Sequence, residues 1–132
     1  MSFAAQVASF SLKTKSKLHR IRKGVLFKLF GAVIFDTPVL TGRLRANWRY
    51  SEGKPDFSTD HNEDKAGTAT VAKVEAGVLE STGEVPVFLS NSLPYAARIE
   101  FDGWSHTKAP EGMMRKNVVR FNNLVIEANR VA

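Results

Sequence analysis

The chain has 132 residues, 43% of them hydrophobic and 24% charged, which suits one domain around one core and is too apolar for disorder throughout. It contains no cysteine, so disulfide frameworks, thiolate metal sites and cysteine nucleophiles are excluded together. The net charge of +6 is uneven: residues 1–50 carry ten Lys or Arg against Asp36 alone, residues 51–66 carry two against five acids, and residues 67–132 balance seven against seven.

Apolar residues recur in steps of three or four from Phe3 through Val7, Phe10, Leu18, Ile21, Val25 and Leu29 to Val33, interrupted by Thr14. This spacing predicts one long amphipathic helix over 3–36, or two in line, whose other face shows Lys13, Lys15, Lys17, Arg20, Arg22, Lys23 and Lys28. Gly24 and Gly31 weaken helix propensity, so a kink or a close packing is expected near them. Pro38 disfavours helical backbone at Thr37 and stops the helix there.

After the Thr41-Gly42 turn, Leu44 to Tyr50 alternates, with Leu44, Ala46, Trp48 and Tyr50 on one face and Arg43, Arg45, Asn47 and Arg49 on the other. A half-buried strand is predicted, in a sheet region spanning 43–90. Residues 51–67 are rich in Gly, Pro, Ser, Asp and Asn and are expected to form a mobile loop joining two strands. Thr68 to Val74 and Val78 to Leu79 are read as further strand, and Val85 to Ser90 as another after the Thr82-Gly83 turn.

A short helix is predicted over 95–101, with Tyr95, Ile99 and Ala96 inward, and a C-terminal helix over 111–131. Strands that run consecutively between helices, without alternating with them, favour an α+β domain over 1–132, its two long helices packed on a small, mainly antiparallel sheet.

The chemistry-bearing residues are sparse. His19 lies among lysines and is expected to be solvated, and His61 in "DHNED" neighbours Asp60, Glu63 and Asp64 without the ligand spacing of a calcium loop. Asp102, Ser105 and His106 are too close in sequence to meet as a triad, and no phosphate-binding glycine motif occurs. Glu100 is expected to cap a helix or pair with a cation. Neither an enzyme, a metal site nor a cofactor is expected.

The long basic helix is the stronger signal: seven Lys or Arg fall within residues 13–28, with no acid before Asp36. Such a face attracts phosphates regardless of base sequence, lies on a membrane surface, or meets the acidic face of a neighbouring subunit. No aromatic interleaving or zinc-finger pattern accompanies it, so sequence-specific readout of nucleic acid is not expected. No apolar run is long enough for a membrane span, and neither a signal peptide nor a membrane association is expected.

Two segments carry a resemblance. "DTPVLTGRLRANW", with Thr37, Pro38, Thr41, Gly42, Leu44, Arg45 and Trp48, is similar to the Thr-Pro-x-x-Thr-Gly-x-Leu-Arg signature of the tail-completion, or neck, proteins of long-tailed bacteriophages, the group that includes the minor tail protein Z. "SNSLPYAARIEFDGWSHTKAPEGMMRKNV" resembles the same family's later pattern through Asn91, Pro94, Tyr95, Ala96, Glu100, Phe101, Gly103, Ala109, Pro110, Gly112 and Met113, with Asp102 inserted before the glycine.

The resemblance implies a virion structural protein without catalytic residues, assembled in the host cytoplasm into a ring, expected to be six-fold, at the head–tail junction. Its implied partners are other copies of itself, neighbouring neck, connector and tail-tube proteins, and non-specifically the passing genomic DNA. Arg43, Arg45 and Arg49 are then expected to form an exposed row touching an adjacent subunit or ring. The basic face of Lys13, Lys15, Lys17, Arg20, Arg22 and Lys23 would turn to the DNA channel or a partner.

Overall fold

Residues 2–101 and 112–131 are described by the computed structural model, and they form an α+β fold. The order is α1 (Phe3–Phe35), α2 (Arg43–Ala46), β1 (Arg49–Glu52), α3 (Thr68–Glu80), β2 (Val87–Ser90), α4 (Ala96–Phe101), α5 (Met114–Val118) and α6 (Phe121–Val131).

The first helix has clear local causes for both ends. Ser2 opens α1, its Oγ accepting a hydrogen bond of 3.1 Å from the Ala5 N–H, and the helix stops just before Pro38, with the Asp36 N–H still bonded to the Ala32 carbonyl at 2.8 Å. Its 33 residues extend about 50 Å at the usual helical rise. Gly31 does not mark a close packing: beyond its own turns of helix, no described residue comes within 4 Å of the point where a Cβ would stand.

The core is built on the C-terminal half of α1. Val33 and Ile34 are fully enclosed, and Leu29 and Phe30 join them against Leu44, Trp48, Val74, Val78, Leu93, Ala96, Ile99 and Met113. The helices α3, α5 and α6 all pack on α1, and α3 also packs on the sheet. Among the described residues the sheet is one antiparallel pair in the register Arg49↔Ser90, Tyr50↔Leu89, Ser51↔Phe88 and Glu52↔Val87.

Four expectations are corrected. The predicted strand from Leu44 to Tyr50 is instead a turn of helix, α2, followed by β1. Leu44 and Trp48 are four residues apart, a spacing that serves one helical face as well as strand alternation, and Gly42 at φ 89° lets its carbonyl accept from the Ala46 N–H and start the turn.

Thr68 to Leu79 is helix, not strand, in spite of its β-branched residues. Thr70, Val74 and Val78 fall four apart and bury one face against α1, so tertiary packing overrides propensity. Gly77 belongs to this packing, since a Cβ there would lie 2.4 Å from the Tyr50 ring.

The segment after β1 consequently joins a strand to a helix and does not join two strands. Finally, the C-terminal helix is divided into α5 and α6 by a turn at Val119 and Arg120. Asn117 Nδ2 bonds back to the Met113 carbonyl at 2.8 Å and outward to Asp36, a side-chain alternative to continuing the ladder.

Candidate functional site

Thr37, Thr41, Arg45 and Trp48 of the first motif belong to an internal hydrogen-bonded frame around the end of α1. Thr37 is 1% exposed, and its Oγ1 donates to the Val33 carbonyl at 2.8 Å while accepting from the buried Trp48 indole N–H at 2.9 Å. Arg45 closes the corner, with Nε donating to the Thr37 carbonyl at 3.1 Å, one Nη to Phe35 at 2.7 Å and the other to Lys65 at 2.6 Å. Thr41 Oγ1 accepts from the Arg43 N–H at 3.2 Å, which shapes the turn before α2.

Gly42 is required twice over. Its backbone is left-handed, and a Cβ there would stand 2.5 Å from the Lys65 nitrogen. Pro38 is half-buried at the helix stop and Leu44 is in the core.

Arg43, Arg45 and Arg49 are therefore not an exposed row along one strand. They lie on α2 and at the start of β1, half-buried, and their donors face inward to main-chain and loop acceptors. Arg43 Nε donates to the Asp60 carbonyl at 3.0 Å, and Arg49 forms an ion pair with the Asp60 carboxylate at 2.8 Å while donating to Ala46 and Ser58. Their common effect is to hold the segment between β1 and α3 against α2.

Asn47 is the residue that the alternation pattern placed on the wrong side. It is fully buried, donating to the Arg43 and Asp60 carbonyls and accepting from the Asp60 N–H at 2.8 Å, so it is the hub between α2 and the loop. Its position four residues after Arg43 was the available sign. Asp64, in the acidic run with His61, caps α3, accepting from the Gly67 N–H at 3.0 Å and from the Thr70 N–H and hydroxyl at 2.8 Å. Desolvation opposes its charge, but the Thr70 and Gly67 bonds prevail and hold the Asp64 carboxyl below its ordinary range. His61 and Glu63 are exposed, and no group of three metal-ligating side chains comes together among the described residues.

The second motif segment makes its own clamp and is tied to the first. Asn91 Nδ2 donates to the Leu44 carbonyl at 2.8 Å, joining the two. Glu100 is buried and caps α5, its carboxylate accepting from the backbone N–H groups of Met113 at 2.5 Å, Met114 at 2.8 Å and Arg115 at 2.6 Å. Burial raises the Glu100 pKa, yet these three N–H donors and the Arg115 charge outweigh it and the carboxyl is held below its usual value. Arg115 also donates to the Glu100 carbonyl.

Gly112 at φ 84° belongs to this clamp, because a Cβ there would meet the Glu100 carbonyl at 2.7 Å. Tyr95 packs half-buried against the core and Pro94 is exposed. Gly103, Pro110, Ala109, Asp102, Ser105 and His106 lie outside the described residues.

The basic face divides in two. Lys13, Lys15, Lys17 and Arg20 are exposed and none has a carboxylate partner among the described residues. Arg22 and Lys23 are half-buried and committed: Arg22 donates to Ser81 Oγ and Lys23 Nζ to the Leu79 carbonyl, each at 2.8 Å, fastening α1 to the C-terminus of α3. His19 is also half-buried, not solvated, with its ring beside Gly83. A shallow groove runs there between α1 and residues 82–84, lined by Lys15, Leu18, His19 and Arg22 among others.

N-terminal to that groove the apolar residues of α1 are uncovered by the described residues: Phe3 is 81% exposed and Phe10 72%. No helix among the described residues is long and apolar enough to cross a membrane. No family model, curated protein or solved structure matches the chain.

Proposed function

We propose that the protein is a non-enzymatic structural protein of a phage virion, completing the tail or joining it to the filled head at the neck as one copy of an oligomeric ring. One observation carries this reading. Among the described residues of the neck-protein pattern, Thr37, Arg45 and Trp48 in the first segment and Asn91, Glu100 and Met113 in the second are spent on internal hydrogen bonds and core packing, and Asn91 ties the two segments together. A signature consumed in building a frame is that of a structural part.

Its partners in this reading are other copies, in a six-fold ring, and the neck, connector and tail-tube proteins stacked on it in the virion. Rings need two side surfaces on each subunit, and the exposed half of α1 supplies a large one. The test is to disrupt the gene in its phage and view the particles by electron microscopy. Filled heads beside separate or defective tails are expected; normal infectious particles would remove the protein from the joint.

Lys13, Lys15, Lys17 and Arg20, exposed and without a carboxylate partner among the described residues, favour one second reading, a protein that binds DNA without regard to sequence. Four phosphate contacts would give log–log salt slopes of about −3.6 in a binding titration. A slope near zero, with weak binding at low salt, excludes it.

A further inference from the structure

Resting on the ring reading, we infer that residues 3–20 of α1 dock onto the acidic segment 52–63 of a second copy of this chain, head to tail. Two features of the helix define what it needs. Phe3, Val7, Phe10 and Leu18 form a narrow apolar stripe at helical spacing, all of them at least 49% exposed. Residues 3–12 carry no charge at all, whereas Lys13, Lys15, Lys17 and Arg20 follow without an acid among them.

A nucleic acid would satisfy the cations and leave the uncharged apolar tip wet. Pairing α1 with another α1 would cover the stripe, but residues 1–35 contain no acid to meet the lysines. The occupant must present apolar and acidic groups together.

This chain presents that combination on the segment after β1. Glu52 and Glu63 are exposed, Asp56 lies between them, and Phe57 stands 72% exposed. The segment is held in shape by Arg43, Asn47 and Arg49, so the surface exists before a partner arrives. Because Asp60 is already paired with Arg49, the negative charge left over is that of Glu52, Asp56 and Glu63, offset in part by the exposed Lys54, and the segment stays net acidic.

Helix and segment are different surfaces, so the contact is heterologous: each copy offers its helix to one neighbour and its acidic segment to another, and the series closes as a ring or runs on as a filament. The opposed charges steer the approach and fix its direction, and the phenylalanines supply the dry centre.

The test is sedimentation velocity on the purified protein at low salt. Two charge variants are compared, Lys13→Glu/Lys15→Glu/Lys17→Glu on the helix and Glu52→Lys/Glu63→Lys on the segment. Wild-type protein should associate beyond a dimer as concentration rises, and each variant should associate at least about tenfold more weakly. Mixing the two variants should restore association, because the intact helix of one meets the intact segment of the other and the charge-reversed helix meets the charge-reversed segment.

Phe10→Ala and Phe57→Ala, which touch no charge and no core residue, should each weaken association as well. Wild-type protein that stays monomeric up to about 1 mM, or a segment variant that associates as wild type does, overturns the contact; the latter result would point to α1 pairing with α1 or with another partner. The outcome is separable from the neck reading, because separated heads and tails on gene disruption together with a monomeric protein in solution would keep that reading and remove this contact.

Discussion

The two halves of α1 share one repeat and meet opposite surroundings. Val25, Leu29 and Val33 continue the stripe begun by Phe3, Val7 and Phe10, yet the later three are at most 8% exposed and the earlier three at least 49%. In the C-terminal half the stripe broadens, with Phe30 and Ile34 buried beside it against α3, α5 and α6. In the N-terminal half it stays narrow and is bordered by lysines. Periodicity thus marks an apolar face, but it does not say whether the same chain covers it, as it does at Val25, Leu29 and Val33, or leaves it exposed, as at Phe3, Val7 and Phe10.

The comparison breaks most directly in the core half. Ile34→Ala is expected to destabilise the isolated protein by about 3–4 kcal/mol, because a fully enclosed side chain leaves a cavity. Phe10→Ala should stay within about 0.5 kcal/mol in the same urea titration. A comparable loss from both would mean that the exposed half is packed in solution.

Next in size, Thr37→Val should cost about 2 kcal/mol, since it leaves the Trp48 indole N–H buried without an acceptor. Urea midpoints at unchanged slope would measure it, and a neutral substitution would show that this bond does not secure the end of α1.

Glu100→Gln should cost about 1–2 kcal/mol at neutral pH, because one amide oxygen replaces a carboxylate that receives three backbone N–H groups. The sign of its pH dependence follows from the lowered folded pKa. The Glu100 contribution is fully present above the ordinary value of 4.5 and is lost as pH falls through the lower folded value. The gap between wild type and Glu100→Gln should therefore hold above pH 4.5 and narrow as pH falls below it; a constant gap would deny that the charge matters.

The smallest expected effect on stability is that of Lys13→Gln/Lys15→Gln/Lys17→Gln, within about 0.5 kcal/mol for solvated cations. Melting temperatures would show it, and a marked loss would reveal partners for these lysines within the monomer.

What the sequence made legible was what local chemistry decides. Pro38 stops α1 where expected, Trp48 anchors the turn after it, and Glu100 caps a helix as anticipated. Misreadings arose where one pattern fits two templates. Leu44 and Trp48 satisfy both a strand and a helix, and the valines of α3 carry strand propensity on helical spacing.

The inward turn of Arg45, the burial of Asn47 and the fastening of Arg22 and Lys23 to α3 depend on carbonyls and hydroxyls brought from elsewhere in the chain. A charge pattern read along one strand or one helix does not contain those acceptors. The basic face accordingly shrank to four residues, and the arginine row became part of the frame.

Amide hydrogen exchange along α1, in the dilute protein and again in the assembled form, tests the account most directly. In the dilute protein the amides of residues 25–35 should exchange at least about a hundredfold more slowly than those of residues 4–18, and assembly should slow the latter selectively. Uniform protection along the helix in the dilute protein, or no change at residues 4–18 on assembly, would contradict the claim that this half is completed by a neighbour.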